Sequence, residues 1–169
     1  MPKPVAGKGV SAKMDLRLET EVLRLLVDRE QTLALAESCT GGCLAHRLTN
    51  VPGASAVFLG GVVAYSNAAK QKFLGVRLKT LAAHGAVSEA VAREMAEGAR
   101  RKFGADFALA VTGIAGPTGG TRAKPVGTVF VALSGVFGTI VERRLNAYER
   151  RQFKDVTARQ ALLLLRSKL

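Results

Sequence analysis

Ser38 is the residue of this sequence best placed to act as a nucleophile. It lies in the segment AESCTGG, residues 36–42, directly after a short apolar run at residues 32–37 that predicts a β-strand. A helix is predicted next, from Thr40 to Asn50, before the breaker at residues 51–53. Ser38 is therefore expected at the carboxyl end of a strand, where open α/β sheets usually bind their ligands.

The junction around Ser38 could also bind an anion or a developing oxyanion. A strand that passes into a helix presents backbone N–H groups and the positive end of the helix dipole to the adjoining crevice. Gly41 and Gly42 would let a ligand approach the backbone closely. Helix capping by Ser38 and Thr40 would explain the same residues without any chemistry, so this alternative stays open.

Lys70 is the favoured base for such a serine because of its position. In YSNAAK, residues 65–70, a strand ends and a short helix is predicted from Asn67 to Leu74, with Ser66 or Asn67 as its cap. The helix dipole disfavours a positive charge in the first turn, and burial would lower the pKa of the lysine further. A neutral Lys70 could take the proton of Ser38, and Tyr65 could share that proton or orient the pair.

The histidines and cysteines are weaker candidates. His46 lies along the predicted helix after Ser38, pointing away from its start, and His84 lies in a predicted loop without a local acid partner. Cys39 and Cys43 have no second pair with metal-ligand spacing, so small buried residues are the favoured interpretation. Cys39 remains a minor rival to Ser38, because a helix start can lower the pKa of a thiol.

A glycine-rich loop, residues 113–125, follows another apolar strand, predicted from Phe107 to Thr112. Its composition is typical of a surface loop that is either flexible or shaped for a ligand. Its glycine spacing matches neither a P-loop nor a dinucleotide fingerprint, which argues against a nucleotide kinase or a dehydrogenase.

The remaining elements place these motifs in one α/β domain. A three-layer α/β/α fold with a five-stranded mixed sheet is expected, because strands alternate with helices and the last two strands form a hairpin. The hairpin turn is predicted around Ser134 and Gly135. Residues 1–13 are predicted to be a flexible basic arm, and residues 14–169 the folded domain. The other predicted elements are helices at 15–29, 88–103 and 149–167, and strands at 56–65, 127–133 and 137–145.

Composition limits the protein class. The chain has 169 residues, 25 Lys and Arg against 13 Asp and Glu, and a formal charge of +12. With 48% hydrophobic residues and no apolar run long enough to span a bilayer, a cytoplasmic globular protein without membrane association is predicted. Nucleic-acid binding is a less favoured prediction, because the basic clusters lack interleaved aromatic residues. Small α/β enzymes are often symmetric dimers, so a homo-oligomer is an open alternative.

Five motifs together resemble the C-terminal domain of the competence/damage-inducible protein CinA, whose members act as nicotinamide-nucleotide amidases. They are AESCTGG at 36–42, AYSNAAK at 64–70, HGAVS at 84–88, TGIAGPTGG at 112–120 and KPVGTV at 124–129. The resemblance implies hydrolysis of nicotinamide mononucleotide to nicotinate mononucleotide and ammonia, without a metal or other cofactor. It covers nearly all of the chain after residue 13, so a stand-alone amidase domain is expected.

The resemblance also implies the site residues. Its catalytic serine, tyrosine and lysine fall on Ser38, Tyr65 and Lys70. The residues expected to bind the substrate are Glu37, Thr40, Gly41, Gly42, Asn67, Thr112, Gly113 and Arg150. Many members carry Gly-Asp before the arginine that corresponds to Arg150, where this chain has Tyr148 and Glu149. A nucleic-acid-associated module and a non-catalytic nucleotide-binding module remain the alternatives to an enzyme.

Overall fold

The computed structural model describes residues 16–169, and the predicted arm at 1–13 lies outside them. Its elements, in chain order, are α1 (Arg17–Asp28), β1 (Leu33–Glu37), α2 (Cys43–Thr49), β2 (Phe58–Val63), α3 (Asn67–Leu74), α4 (Leu78–His84), α5 (Glu89–Phe103), β3 (Phe107–Gly113), β4 (Thr128–Gly135), β5 (Gly138–Leu145) and α6 (Arg150–Arg166). One turn of 3₁₀ helix, Ala54–Ala56, precedes β2. None of the helices within residues 16–169 combines the length and apolarity needed to cross a membrane.

The five strands form one mixed sheet in the order β2-β1-β3-β4-β5. β1 runs parallel to both of its neighbours, β2 and β3, whereas β3, β4 and β5 pair antiparallel. The carboxyl ends of β2, β1 and β3 therefore meet at the same edge of the sheet. The predicted five-stranded α/β/α architecture is confirmed.

The two faces of the sheet differ in side-chain size. On one face, Leu33 and Leu35 of β1 join a core of larger apolar residues that includes side chains of α1, α2 and α6. On the other face, Ala34 and Ala36 lie in a second core with residues of α3, α4 and α5. Small side chains on this second face let α5 approach the sheet closely. At Gly98 of α5, a Cβ atom would lie 1.8 Å from the Leu74 carbonyl oxygen, so α5 also packs directly against the end of α3.

The start of α2 differs from the prediction, which placed it at Thr40. Gly41 and Gly42 have left-handed backbone conformations, with φ of 60° and 95°. A right-handed helix cannot continue through such residues. The chain therefore makes turns after Ser38, and the helix begins only at Cys43.

Two further elements differ from the prediction. α4 was missed, and His84, predicted in a loop, is its last residue. This helix has only seven residues and its N-cap, Arg77, makes no side-chain capping hydrogen bond, so the usual start signal is lacking. In the hairpin, β4 continues through Gly135, which pairs with Gly138, and the turn falls on the two residues between them.

Candidate active site

The candidate site lies at the edge where the three parallel strands end. Ser38 directly follows β1, and its N–H donates to the Val111 carbonyl of β3 at 3.0 Å. The segment between β2 and α3 begins at this edge, and so does the glycine-rich loop that follows β3. Parallel pairing thus brings three segments that are distant in sequence to one crevice.

Ser38 and Lys70 are in direct contact. The Lys70 Nζ lies 2.9 Å from the Ser38 Oγ, although the two residues are 32 positions apart. The Ser38 hydroxyl is thus bonded to a lysine, and the N-cap of α2 is Gly42, without a side-chain capping bond. The structure does not support the alternative in which Ser38 serves only as a helix cap.

The surroundings of Lys70 disfavour its charged form. The side chain is only 2% exposed, and burial lowers the pKa of its amine below the ordinary value. Besides Ser38, the Nζ contacts two backbone carbonyl oxygens, those of Ala64 at 2.9 Å and Tyr65 at 3.5 Å. A neutral amine has two N–H donors and one lone pair. In the structure the Nζ donates to the Ser38 Oγ. In the neutral form, with both donors on the carbonyls, its lone pair is available to accept the Ser38 proton.

α3 determines where Lys70 enters the site. As predicted, this helix spans Asn67–Leu74, and its N-cap is Ser66, whose Oγ accepts from the Ala69 N–H at 3.1 Å. Lys70 is the fourth residue of the helix. The cap therefore places the lysine at the end of the first turn of α3, and its side chain reaches back to the Ala64 carbonyl, next to the end of β2.

A cavity of about 290 Å³ opens above the Ser38–Lys70 pair. Its walls come from the ends of β1 and β3, the start of α3, the segment before α5 and the glycine-rich loop. Besides Lys70, whose charged form burial disfavours, Arg150 is the lining residue that carries a fixed positive charge. The lining set is Ser38, Cys39, Tyr65, Asn67, Lys70, Ala86, Val87, Thr112–Gly116, Thr118, Gly119 and Arg150. Such a wall favours an anionic ligand.

Arg150 bridges the loop and the β2–α3 segment from the first position of α6. Its Nη1 donates to the Gly116 carbonyl at 2.8 Å and its Nη2 donates to the Tyr65 hydroxyl at 2.5 Å. The phenol of Tyr65 is thus bonded to Arg150, while the Tyr65 carbonyl faces Lys70. Tyr65 is 58% exposed, so the Arg150–Tyr65 pair is open to solvent.

Four residues predicted to bind the substrate do not line this cavity. Glu37 is buried, and its carboxylate accepts from backbone N–H groups at the start of α2. Thr40, Gly41 and Gly42 line a separate cavity of about 310 Å³ together with residues of α2 and α6. Asn67, Thr112, Gly113 and Arg150 do line the Ser38 cavity.

Cys39 lines the cavity, but its chemistry does not suit a nucleophile. Burial raises the pKa of its thiol to about 12. Because the thiolate is the reactive form, Cys39 stays protonated and weakly nucleophilic at neutral pH. Neither histidine is among the residues that line the Ser38 cavity.

Comparisons with known proteins show the family of this chain. The model of the CinA C-terminal domain family matches residues 15–169. This chain belongs to the CinA C-terminal domain family. A CinA-like protein of Anaeromyxobacter sp. strain Fw109-5 is 54% identical over 162 residues, which are 96% of this chain and 40% of that protein. A CinA-like protein of Geobacter sulfurreducens is 52% identical over 163 residues, which are also 96% of this chain and 40% of that protein. The chain thus spans about 40% of the length of these curated relatives.

Solved structures of the CinA superfamily share the fold. The competence damage-inducible protein A (ComA) from Klebsiella pneumoniae superposes with a TM-score of 0.88 at 42% identity, covering 90% of this chain and 95% of that one. A CinA superfamily protein from Escherichia coli has a TM-score of 0.85 at 31% identity, and the superposition covers 99% of this chain and 100% of that one. This chain therefore shares its overall fold with solved proteins of the CinA superfamily.

Sequence reasoning missed part of the cavity wall. Ala86 and Val87 line it, and the Thr112 hydroxyl donates to the Ala86 carbonyl at 2.8 Å, which ties this segment to the end of β3. The CinA motif HGAVS at 84–88 marked the segment, but apolar residues in a short connection carry no chemical signal of their own. Only their position beside Thr112 makes them part of the site.

Proposed function

We propose that this CinA-family chain hydrolyses the carboxamide of nicotinamide mononucleotide, with Ser38 as nucleophile and Lys70 as base. The observation that carries the proposal is the 2.9 Å contact between the Ser38 Oγ and the buried Lys70 Nζ. The motif resemblance supplies the substrate. The cavity supports it, because its wall holds the cationic Arg150 and it opens directly above the nucleophile.

In the first step, Lys70 takes the Ser38 proton while the Ser38 Oγ attacks the carboxamide carbon. A tetrahedral intermediate forms with a negative charge on the former carbonyl oxygen. The Lys70 ammonium then gives its proton to the amide nitrogen, the carbon–nitrogen bond breaks, and ammonia leaves. Lys70 returns to the neutral form, and Ser38 carries the nicotinoyl nucleotide as an ester.

The second step repeats the proton movements with water. Lys70 takes a proton from a water molecule as the water oxygen attacks the ester carbon. The new tetrahedral intermediate collapses, the proton passes to the Ser38 oxygen, and nicotinate mononucleotide is released. Tyr65 contributes to both steps through its carbonyl, which orients Lys70, whereas its hydroxyl accepts from Arg150.

The oxyanion needs a backbone N–H donor close to Ser38. In the predicted window Thr40–Gly42, the Gly41 N–H donates to the Ser38 carbonyl and the Gly42 N–H donates to Glu37. Thr40 is the third residue of this window. Near Gly113, the next N–H, that of Ile114, is paired with the Thr128 carbonyl. Thr40 is fully buried, lines a different cavity from Ser38, and its N–H bonds the Cys39 thiol, so these contacts do not make it the oxyanion donor.

The direct test is an assay of the purified chain with nicotinamide mononucleotide. Ammonia is measured with a coupled enzyme, and nicotinate mononucleotide by chromatography. We expect equal amounts of both products, formed at a rate proportional to protein concentration. Calorimetric binding of the mononucleotide without turnover would instead favour the non-catalytic nucleotide-binding alternative, and the absence of both binding and turnover would reject the proposal.

Arg150 is expected to bind the 5′-phosphate. It is a cationic residue of the cavity wall, and two of its five N–H donors are used by Gly116 and Tyr65, which leaves three for a ligand. Replacing Arg150 with alanine removes a charge-assisted hydrogen bond worth about 1.5–3 kcal/mol, so KM for the mononucleotide should rise about 10- to 100-fold. Steady-state kinetics of ammonia release measure this change.

Nicotinamide riboside, which lacks the phosphate, separates phosphate binding from a loss of local structure. Arg150→Ala should leave the slow hydrolysis of the riboside nearly unchanged. Arg151→Ala, at the exposed neighbouring position, should not change KM for either substrate. Equal losses with both substrates would contradict the assignment of the phosphate to Arg150.

A further inference from the structure

Glu37, the last residue of β1, carries a buried carboxylate with three backbone partners. The side chain is 1% exposed. Its Oε2 accepts from the N–H groups of Gly42 at 3.0 Å and Leu44 at 3.1 Å, and its Oε1 accepts from the N–H of Ala45 at 2.8 Å. These are N–H groups that the start of α2 leaves without helical partners. Glu37 therefore caps α2 from the end of a neighbouring strand.

These bonds close a loop around Ser38. The chain leaves β1 at Glu37, passes through Ser38 and the two left-handed glycines, and returns at Gly42 to the Glu37 carboxylate. One backbone bond, from the Gly41 N–H to the Ser38 carbonyl at 3.1 Å, lies inside this loop. The direction of the Ser38 side chain toward Lys70 thus depends on a turn whose two ends Glu37 holds together.

A substrate-binding role for Glu37 does not agree with these contacts. Both of its oxygen atoms are occupied by backbone donors, and Glu37 is not among the residues lining the Ser38 cavity. A carboxylate there would also repel an anionic nucleotide. The contacts instead suit a group that holds the nucleophile in place.

We propose that Glu37 is a positioning residue for Ser38. By binding the N–H groups at the start of α2, its carboxylate holds the 38–42 turn in the geometry that aligns the Ser38 hydroxyl with the Lys70 lone pair. This inference rests on the proposed serine–lysine function. Small displacements of a reacting group can reduce a rate by about 100-fold, so loss of these bonds should act on kcat.

Two variants test the carboxylate. Glu37→Gln keeps the shape but turns an acceptor oxygen into a donor that faces backbone N–H groups. Glu37→Asp keeps the charge but is one methylene too short to reach them. We expect each to lower kcat for the mononucleotide about 10- to 100-fold, with KM within about twofold of the unchanged chain, because the substrate contacts remain.

Glu19→Gln is the matched control for a loss of stability alone. Glu19 is also a fully buried carboxylate that contacts α2, through Arg47 at 2.5 Å, but it lies on α1. Circular dichroism and thermal unfolding measure the folded fraction of each variant at the assay temperature. Glu19→Gln should lose stability and keep kcat, whereas the Glu37 variants should lose kcat at temperatures where they are fully folded.

A second readout does not depend on the substrate. A fluorophosphonate labels an activated serine when its oxygen attacks phosphorus, fluoride leaves, and the base takes the serine proton. We expect Ser38 to be labelled, and the rate to fall about 10- to 100-fold in both Glu37 variants but not in Glu19→Gln. If the unchanged chain is labelled at Ser38 but does not hydrolyse the mononucleotide, the proposed substrate fails while the role of Glu37 is still tested.

Three results would overturn the proposal for Glu37. The first is a rise in KM with kcat unchanged, which would make Glu37 a substrate-binding residue. The second is a labelling rate in folded Glu37→Gln equal to that of the unchanged chain. The third is no labelling of Ser38 in the unchanged chain, because there would then be no activated serine to position.

Discussion

Replacing Ser38 with alanine is expected to lower kcat for amide hydrolysis about 10⁴-fold or more, because the acyl-enzyme can no longer form. The nucleotide should still bind, since the cavity wall and Arg150 are unchanged. Steady-state ammonia release gives kcat, and calorimetry with the mononucleotide gives Kd. Because only one hydroxyl is removed, the variant should fold normally.

Ser55→Ala is a suitable control for Ser38→Ala. Ser55 is exposed in the 3₁₀ turn before β2, and its replacement should leave kcat, Kd and the melting temperature unchanged. A Ser38→Ala variant that keeps the full rate of ammonia release would contradict the covalent mechanism, because no step of that mechanism proceeds without the serine oxygen.

Replacing Lys70 with methionine has the second largest expected effect. Methionine fills a similar volume but cannot accept the Ser38 proton, so kcat should fall about 10³-fold or more. Lys72→Met is the matched control, because Lys72 lies on the same helix with an exposed side chain. Its replacement should not change kcat. If Lys70→Met hydrolyses the mononucleotide as fast as Lys72→Met, Lys70 is not the base.

The pH dependence of the unchanged chain follows from the lowered pKa of Lys70. Only the neutral amine accepts a proton, so kcat/KM should rise with pH and level off through an apparent pKa below the ordinary lysine value of about 10.4. Lys70→Met should lack this rise. A midpoint at the ordinary lysine value would contradict a buried base.

The same shift predicts how stability depends on pH. Between the lowered pKa of Lys70 and its ordinary value, the unfolded chain holds a proton that the folded chain has lost, so the free energy of unfolding increases with pH. Below the lowered pKa, the full cost of burying the charge is present. Relative to Lys70→Met, the unchanged chain should therefore gain stability as the pH rises through this window, and urea unfolding at several pH values measures the difference.

Local signals in the sequence were sufficient for much of the fold. The apolar runs of β1 and β3 and the capped starts of α3 and α5 were predicted close to their observed bounds, because these signals act over one strand or one helical turn. α4 was missed since its start has no capping side chain. α2 was predicted too early because helical periodicity outweighed the left-handed conformations that Gly41 and Gly42 adopt.

The sequence by itself determined the chemical groups of the site and their local settings: a serine after a strand, a lysine in the first turns of a capped helix, and the CinA motifs that connect them. Only the tertiary structure decided which groups meet. The Ser38–Lys70 contact requires β1 and β2 to pair in parallel, and Arg150 reaches Tyr65 from 85 positions away. Glu37 lies next to Ser38 in sequence, yet its carboxylate faces the start of α2, because that is where the fold leaves backbone donors unpaired. Such contacts depend on the packing of whole elements, which no local pattern of residues encodes.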